Sequence, residues 1–202
     1  MRKVWRRIVL CLVLTISFWF GALLADRQQL REELIRFHVV ANSDSVEDQQ
    51  IKLQVRDAVI GTVQQDLVQI RDVNAAKAYL QENLPKIQAI ANAALKQAGA
   101  SESAVVSLCQ ETFDTRYYET FTLPAGVYES LRIIIGDGKG HNWWCVAFPS
   151  LCLPATSVEF EAAAVSSGFS EPLSQTLAGE HHEIRFFFLD KLGQLENMLF
   201  TG

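Results

Sequence analysis

The chain has 202 residues, 49% of them hydrophobic and 20% charged, which supplies apolar material for one core of ordinary size and sets one globular domain as the expectation. Four of the 18 lysines and arginines and none of the 23 acidic residues fall within residues 1–25, so the formal charge of −5 for the whole chain becomes −9 for residues 26–202. A body of that sign attracts neither a phosphate backbone nor acidic headgroups, which excludes nucleic acid and electrostatic binding to anionic lipid and leaves a protein partner or a small ligand.

The first seven residues, MRKVWRR, are basic, and Ile8 to Ala25 form an apolar run without a charge. Eighteen residues at about 1.5 Å each give roughly 27 Å, close to a hydrocarbon core of about 30 Å, so both a cleaved export signal and a retained anchor fit. The basic flank keeps the N-terminus cytoplasmic, and everything beyond Asp26 is expected outside. Cys11 stands in mid-span without small residues before it, which rejects a lipid attachment site.

Residues 26–33 are polar and read as a stalk, and residues 34–202 as the extracytoplasmic domain. Leu34–Ala41 reads as a strand, with Ile35, Phe37 and Val39 alternating against Arg36 and His38. Asn42-Ser43-Asp44-Ser45 forms a turn, and Asp44 with Glu47 suggests a capping box for a helix over 46–67 whose apolar face holds Ile51, Val55, Val59 and Val63. Pro85 divides a second helical region into 74–83 and 85–98, closed by Gly99. Ser103–Phe113 alternates as a strand, and Arg116–Leu123 reads as its hairpin partner.

The central feature is Leu131–Pro154: two apolar runs, Leu131–Ile135 and Trp143–Phe148, joined by a glycine-rich turn and read as a long-looped hairpin. Beyond it, 157–165 suggests a short helix, 166–179 a Ser/Gly-rich loop and Glu183–Leu189 a strand, with Asp190 capping a final helix to about Phe200. The pattern predicts an α+β fold: a single domain with a mostly antiparallel sheet packed against helices, preceded by the N-terminal signal or anchor helix.

Chemistry is sparse. Gly136-Asp137-Gly138-Lys139-Gly140 fits neither phosphate-binding glycine motif and leads into a strand where those motifs need a helix, so it reads as a turn. His181 and His182 are adjacent, a poor chelate on a strand, so no metal site and no cofactor is expected. His141 lies about 13 Å along an extended chain from Cys145, too far for direct activation of a thiol. His38 with Asp44 is the remaining acid/base arrangement, against a histidine that faces solvent or is capped by a neighbour. Cys145 and Cys152 are close enough in sequence for a disulfide, with three buried thiols, Cys109 included, as the alternative.

Three blocks carry a family resemblance: Arg36-Phe37-His38-Val39-Val40-Ala41-Asn42-Ser43-Asp44-Ser45 with Asp48-Gln49 and Lys52 to Val59; Leu123 to Tyr128; and Gly140 to Val146 with Phe148 to Cys152. Together they resemble the stage II sporulation protein R family over roughly residues 34–153. Residues after Pro154 carry none of its motifs. The resemblance implies a signal of endospore-forming bacteria, exported from the forespore into the space between the two membranes. There it activates a membrane-embedded aspartic peptidase that processes the pro-form of the mother-cell sigma factor sigma-E. It implies no catalytic residues; the membrane is met only through residues 1–25 where these are retained. Polar and aromatic residues at the strand ends, namely His38, Asn42, Asp44, Asn142 and Trp143, are the candidate partner surface, against the reading that they build the turn and the core. The competing readings are a secreted hydrolase using Cys145 or a histidine, and a small-ligand module with a pocket lined by Tyr117, Tyr118 and Trp144.

Overall fold

A computed structural model describes residues 1–119, 121–149, 164–166, 169–178 and 184–201. Its elements are α1 (Arg2–Glu33), β1 (Ile35–Val40), α2 (Val46–Leu67), α3 (Val73–Gln97), β2 (Ala104–Phe113), β3 (Arg116–Tyr117), β4 (Thr122–Leu123), β5 (Gly126–Ile135), β6 (Asn142–Phe148), α4 (Glu171–Ala178) and α5 (Ile184–Thr201). Four strands form one sheet in the order β2-β5-β1-β6, with β1 parallel to β5 and the other two pairings antiparallel. The fold is therefore α+β with the mostly antiparallel sheet that the sequence predicts.

The sheet is covered on both faces. Ile35, Phe37 and Val39 of β1, with Leu131, Ile133 and Cys145 beside them, pack against Val55, Val59 and Leu80 of α2 and α3. The opposite face gathers Phe113, Tyr128 and Val146 against Leu23 and Leu30 of α1, Leu173 and Leu177 of α4 and Leu189 of α5. All six residues of β1 are buried, as befits a strand inside a sheet whose two faces both carry helices. The alternation along β1 is as read from the sequence, yet the face holding Arg36 and His38 is also closed.

The two central apolar runs do not form a hairpin. They become β5 and β6, which flank β1 on either side. Crossing a third strand spans about 9–10 Å between strand axes, which is why the connection is longer than a hairpin turn requires. Gly136 and Gly138, at φ 55° and 62°, bend it over the exit of β1, where the amides of Lys139 and Gly140 donate to the carbonyls of Asn42 and Ala41.

β2 likewise finds a distant partner. Ten residues pair with β5, from Ala104 opposite Ile135 to Phe113 opposite Gly126, leaving Arg116–Leu123 to close on itself as the small β3/β4 ladder. The outer edge of β2 is capped from α3, where Gln88 and Asn92 accept from the amides of Val106 and Ala104.

Four further expectations are corrected. The 74–83 and 85–98 segments are one helix with Pro85 inside it, because Leu80 and Ile87 on either side of the proline are buried in the same core. Glu171–Ala178, within the stretch read as loop, is helical and buries Leu173 and Leu177. Of the strand expected at Glu183–Leu189, the described part from Ile184 onward is the start of α5, with Phe186 and Leu189 buried three residues apart at helical spacing. Residues 26–33 are no stalk but the last turns of α1: Leu30 is buried, Asp26 pairs with Arg185, and Arg27 and Arg31 pair with Glu196. The short helix at 157–165, His181, His182 and the Cys145–Cys152 bridge fall wholly or largely outside the described residues.

Candidate functional site

The chain leaving β1 and the loop entering β6 meet at one end of the sheet, and three of the five residues expected on the partner surface meet there. Asn42 is a bracket: its Nδ2 donates to Asp48 at 3.0 Å and its Oδ1 accepts from the amide of Asp137 at 3.0 Å. Ser45, not Asp44, caps α2, accepting from the amide of Asp48. Asp44 is thereby free to turn outward, where its carboxylate accepts both from the backbone amide and from Nδ1 of His141. Asn142 is exposed next to it, paired with Val40 across the sheet.

The platform is held rigidly from below. A side chain on Gly140 would stand 2.1 Å from the carbonyl oxygen of Ser43, so the loop approaches β1 as only glycine permits. Lys52, nearly buried in α2, donates to Gln49 and to the carbonyl of His141. Burial lowers the pKa of Lys52, neighbouring Arg56 adds to this, and Asp44 opposes it. The pKa of Asp44 is lowered by the His141 side-chain bond and then by the His141 amide.

The other two expected residues belong elsewhere. His38 is buried rather than presented to a partner: it lies opposite Trp144, the two rings stacked 3.6 Å apart at 18°, and its Nδ1 is 3.2 Å from the carboxylate of Glu111. Glu111 also pairs with Arg132 at 3.2 Å. This occupies His38, so it forms no acid/base pair with Asp44. Trp143 faces α2, edge-on to Phe37, with the Arg56 guanidinium 4.9 Å from its ring centroid. It walls the core, and only part of it reaches the surface.

Beside Asp44 opens a cleft of about 430 Å³, bordered by Arg116, Lys139, His141, Asn142 and Trp144. Arg116 lies over the indole of Trp144, 4.8 Å from its centroid, so a cation and an aromatic face form one wall. Sequence reasoning missed Arg116, because nothing local joins β3 to this end of the sheet, and Lys139, because its glycine-rich stretch reads only as a turn. Tyr117 is exposed, and Tyr118 stacks on Phe121 and packs, with Trp144, against the core on the α1 side of the sheet. Cys145 faces the core under α2 and α3 while His141 is exposed, which separates the thiol and imidazole that sequence spacing brought near each other. Among the described residues no group of three His, Cys, Asp or Glu side chains is placed to hold a metal. What the platform offers is polar recognition: a carboxylate, an imidazole, an amide and two cations around a flat ring.

The family described as stage II sporulation protein R matches residues 31–158. The stage II sporulation protein R of Bacillus subtilis (strain 168) is 40% identical over 121 residues, which cover 60% of this chain and 54% of that protein. The chain thus spans about half the length of the curated relative it matches. No solved structure matches it.

Proposed function

Because the chain belongs to the stage II sporulation protein R family, we propose that its sporulation role is that of an exported signal whose body docks onto a membrane-embedded aspartic peptidase and drives processing of pro-sigma-E. The action lies between forespore and mother cell, with the body on the far side of the membrane from the basic N-terminus. The observation that carries this reading is the Asp44–His141–Asn142 platform, whose exposed polar groups are fixed by Asn42, Gly140 and Lys52. Fixed, exposed groups suit recognition, because little ordering entropy is lost when a partner binds them. A signal of this kind works by binding the active state of its receptor more tightly than the inactive one, since equal affinity shifts nothing.

The test is made in an endospore-forming host lacking its own family member, with a reporter for mother-cell sigma factor activity. The double variant Asp44→Ala, His141→Ala is expected to accumulate normally and to lower reporter output severalfold. Full output from that variant removes the platform from the contact, and full output in a host carrying no copy at all removes the signalling role.

A further inference from the structure

α5 is apolar on two opposite sides. Phe186 and Leu189 are buried against the body, while Ile184, Phe187, Phe188, Leu195, Met198 and Leu199 are exposed. At 100° per residue these six lie within about 120° of one another, a single stripe facing away from the buried side. Lys191 is the one charged residue on that stripe, its Nζ 5.8 Å from the Phe187 ring centroid. The other charged side chains of α5 turn toward the body: Arg185 to Asp26, Asp190 to Thr115 and the amide of Ala125, and Glu196 to Arg27 and Arg31. A helix apolar on both sides is buried on both sides, and a stripe of this size marks an interaction surface.

Its position says what covers it. Phe188 packs edge-on against Trp19 of α1, ring centroids 5.1 Å apart. Trp19 belongs to the uncharged run that ends at Ala25, six residues further on, or about 9 Å along a helix. A helix apolar enough to cross a membrane therefore carries the start of α5 beside it, at a depth where interfacial helices set their apolar faces, about 5–10 Å into the headgroup boundary.

We infer that the exposed stripe of α5, led by Ile184, Phe187 and Phe188, lies in the outer leaflet of the bilayer that α1 enters, with the body seated on the membrane. The contact is with acyl chains, so it needs no anionic lipid and agrees with the negative charge of the body; Lys191 reaches back to the phosphate level. The stripe falls outside residues 31–158 and the inference is independent of the peptidase reading.

The full chain is reconstituted into phosphatidylcholine vesicles containing a phospholipid with a diazirine in its acyl chain, irradiated, and its adducts mapped by peptide mass spectrometry. Adducts are expected on α1 and also on Phe187 and Phe188. The Phe187→Glu, Phe188→Glu variant changes two surface positions and gives up the Phe188–Trp19 contact, and should keep the α1 adducts while those at 184–191 fall about tenfold. Adducts confined to α1 in the unaltered chain overturn the inference. So does cross-linking of two α5 helices to each other without lipid adducts, which would assign the stripe to a second copy.

Discussion

Replacing Glu111 by glutamine tests the buried polar stack on which the sheet's second face depends. The carboxylate lies between His38 and Arg132, at 3.2 Å from each, with the His38 and Glu111 side chains almost fully covered and that of Arg132 37% exposed. Removing one member of a wholly buried ion pair costs about 3–5 kcal/mol, and the opening at Arg132 lets water screen part of that, leaving about 2–3 kcal/mol. For a chain of this length that is a fall of roughly 5–10 °C in the midpoint of thermal unfolding. Burial acts most strongly on the Glu111 pKa and raises it, yet the His38 hydrogen bond and charge, with Arg132, outweigh it and leave the value lowered. A lowered folded value means that the stabilisation is complete at neutral pH. It begins to fade as pH drops through the unfolded carboxylate value of about 4.3, and is gone below the folded one. Midpoints of the full chain in detergent, measured from pH 7 to 3, should therefore show a gap between parent and Glu111→Gln that closes toward the acid end. Equal midpoints at pH 7, or a gap that does not change with pH, would refute the assignment of Glu111 as the counter-charge.

Arg36 is fully buried, with Nε on the carbonyl of Cys145, Nη2 on the hydroxyl of Tyr118 and its guanidinium 4.3 Å from the Phe113 ring centroid. Among the described residues it pairs with no carboxylate, so Arg36→Lys, which keeps the charge but loses the planar stacking, should destabilise more than Arg36→Met, as read by denaturant midpoints. Asn42→Ala removes two hydrogen bonds that tie β1 to α2 and to the β5–β6 loop, and should cost about 1–3 kcal/mol in chemical unfolding. An unchanged midpoint would mean that the Lys139 and Gly140 amides, with the Lys52 and Asp44 contacts to His141, hold the loop without Asn42.

The features legible in the sequence are those written into neighbouring residues. α2 runs from Val46 to Leu67, the predicted limits, because its apolar face and the turn before it are local signals, although the cap is Ser45 and not the Asp44–Glu47 pair. Strand order is not legible, since β1 separates β5 from β6 through pairings that no local pattern encodes. His38 is legible only in part: the sequence allows a histidine that faces solvent or is capped by a neighbour, but the neighbour that lets it be buried, Glu111, comes from 73 residues away on β2. Asp44, His141 and Asn142 are brought together by the same crossing that breaks the expected hairpin.

α5 departs from its sequence pattern in a different way. Helical periodicity is visible only when a helix has one wet side, and Ile184-Arg185-Phe186-Phe187-Phe188-Leu189 has apolar residues toward both the body and the outside. The missing period that disguises this helix as a strand is the same property that calls for a second apolar medium. Trp19, from the membrane-length helix, is the residue on which the proposed lipid contact rests.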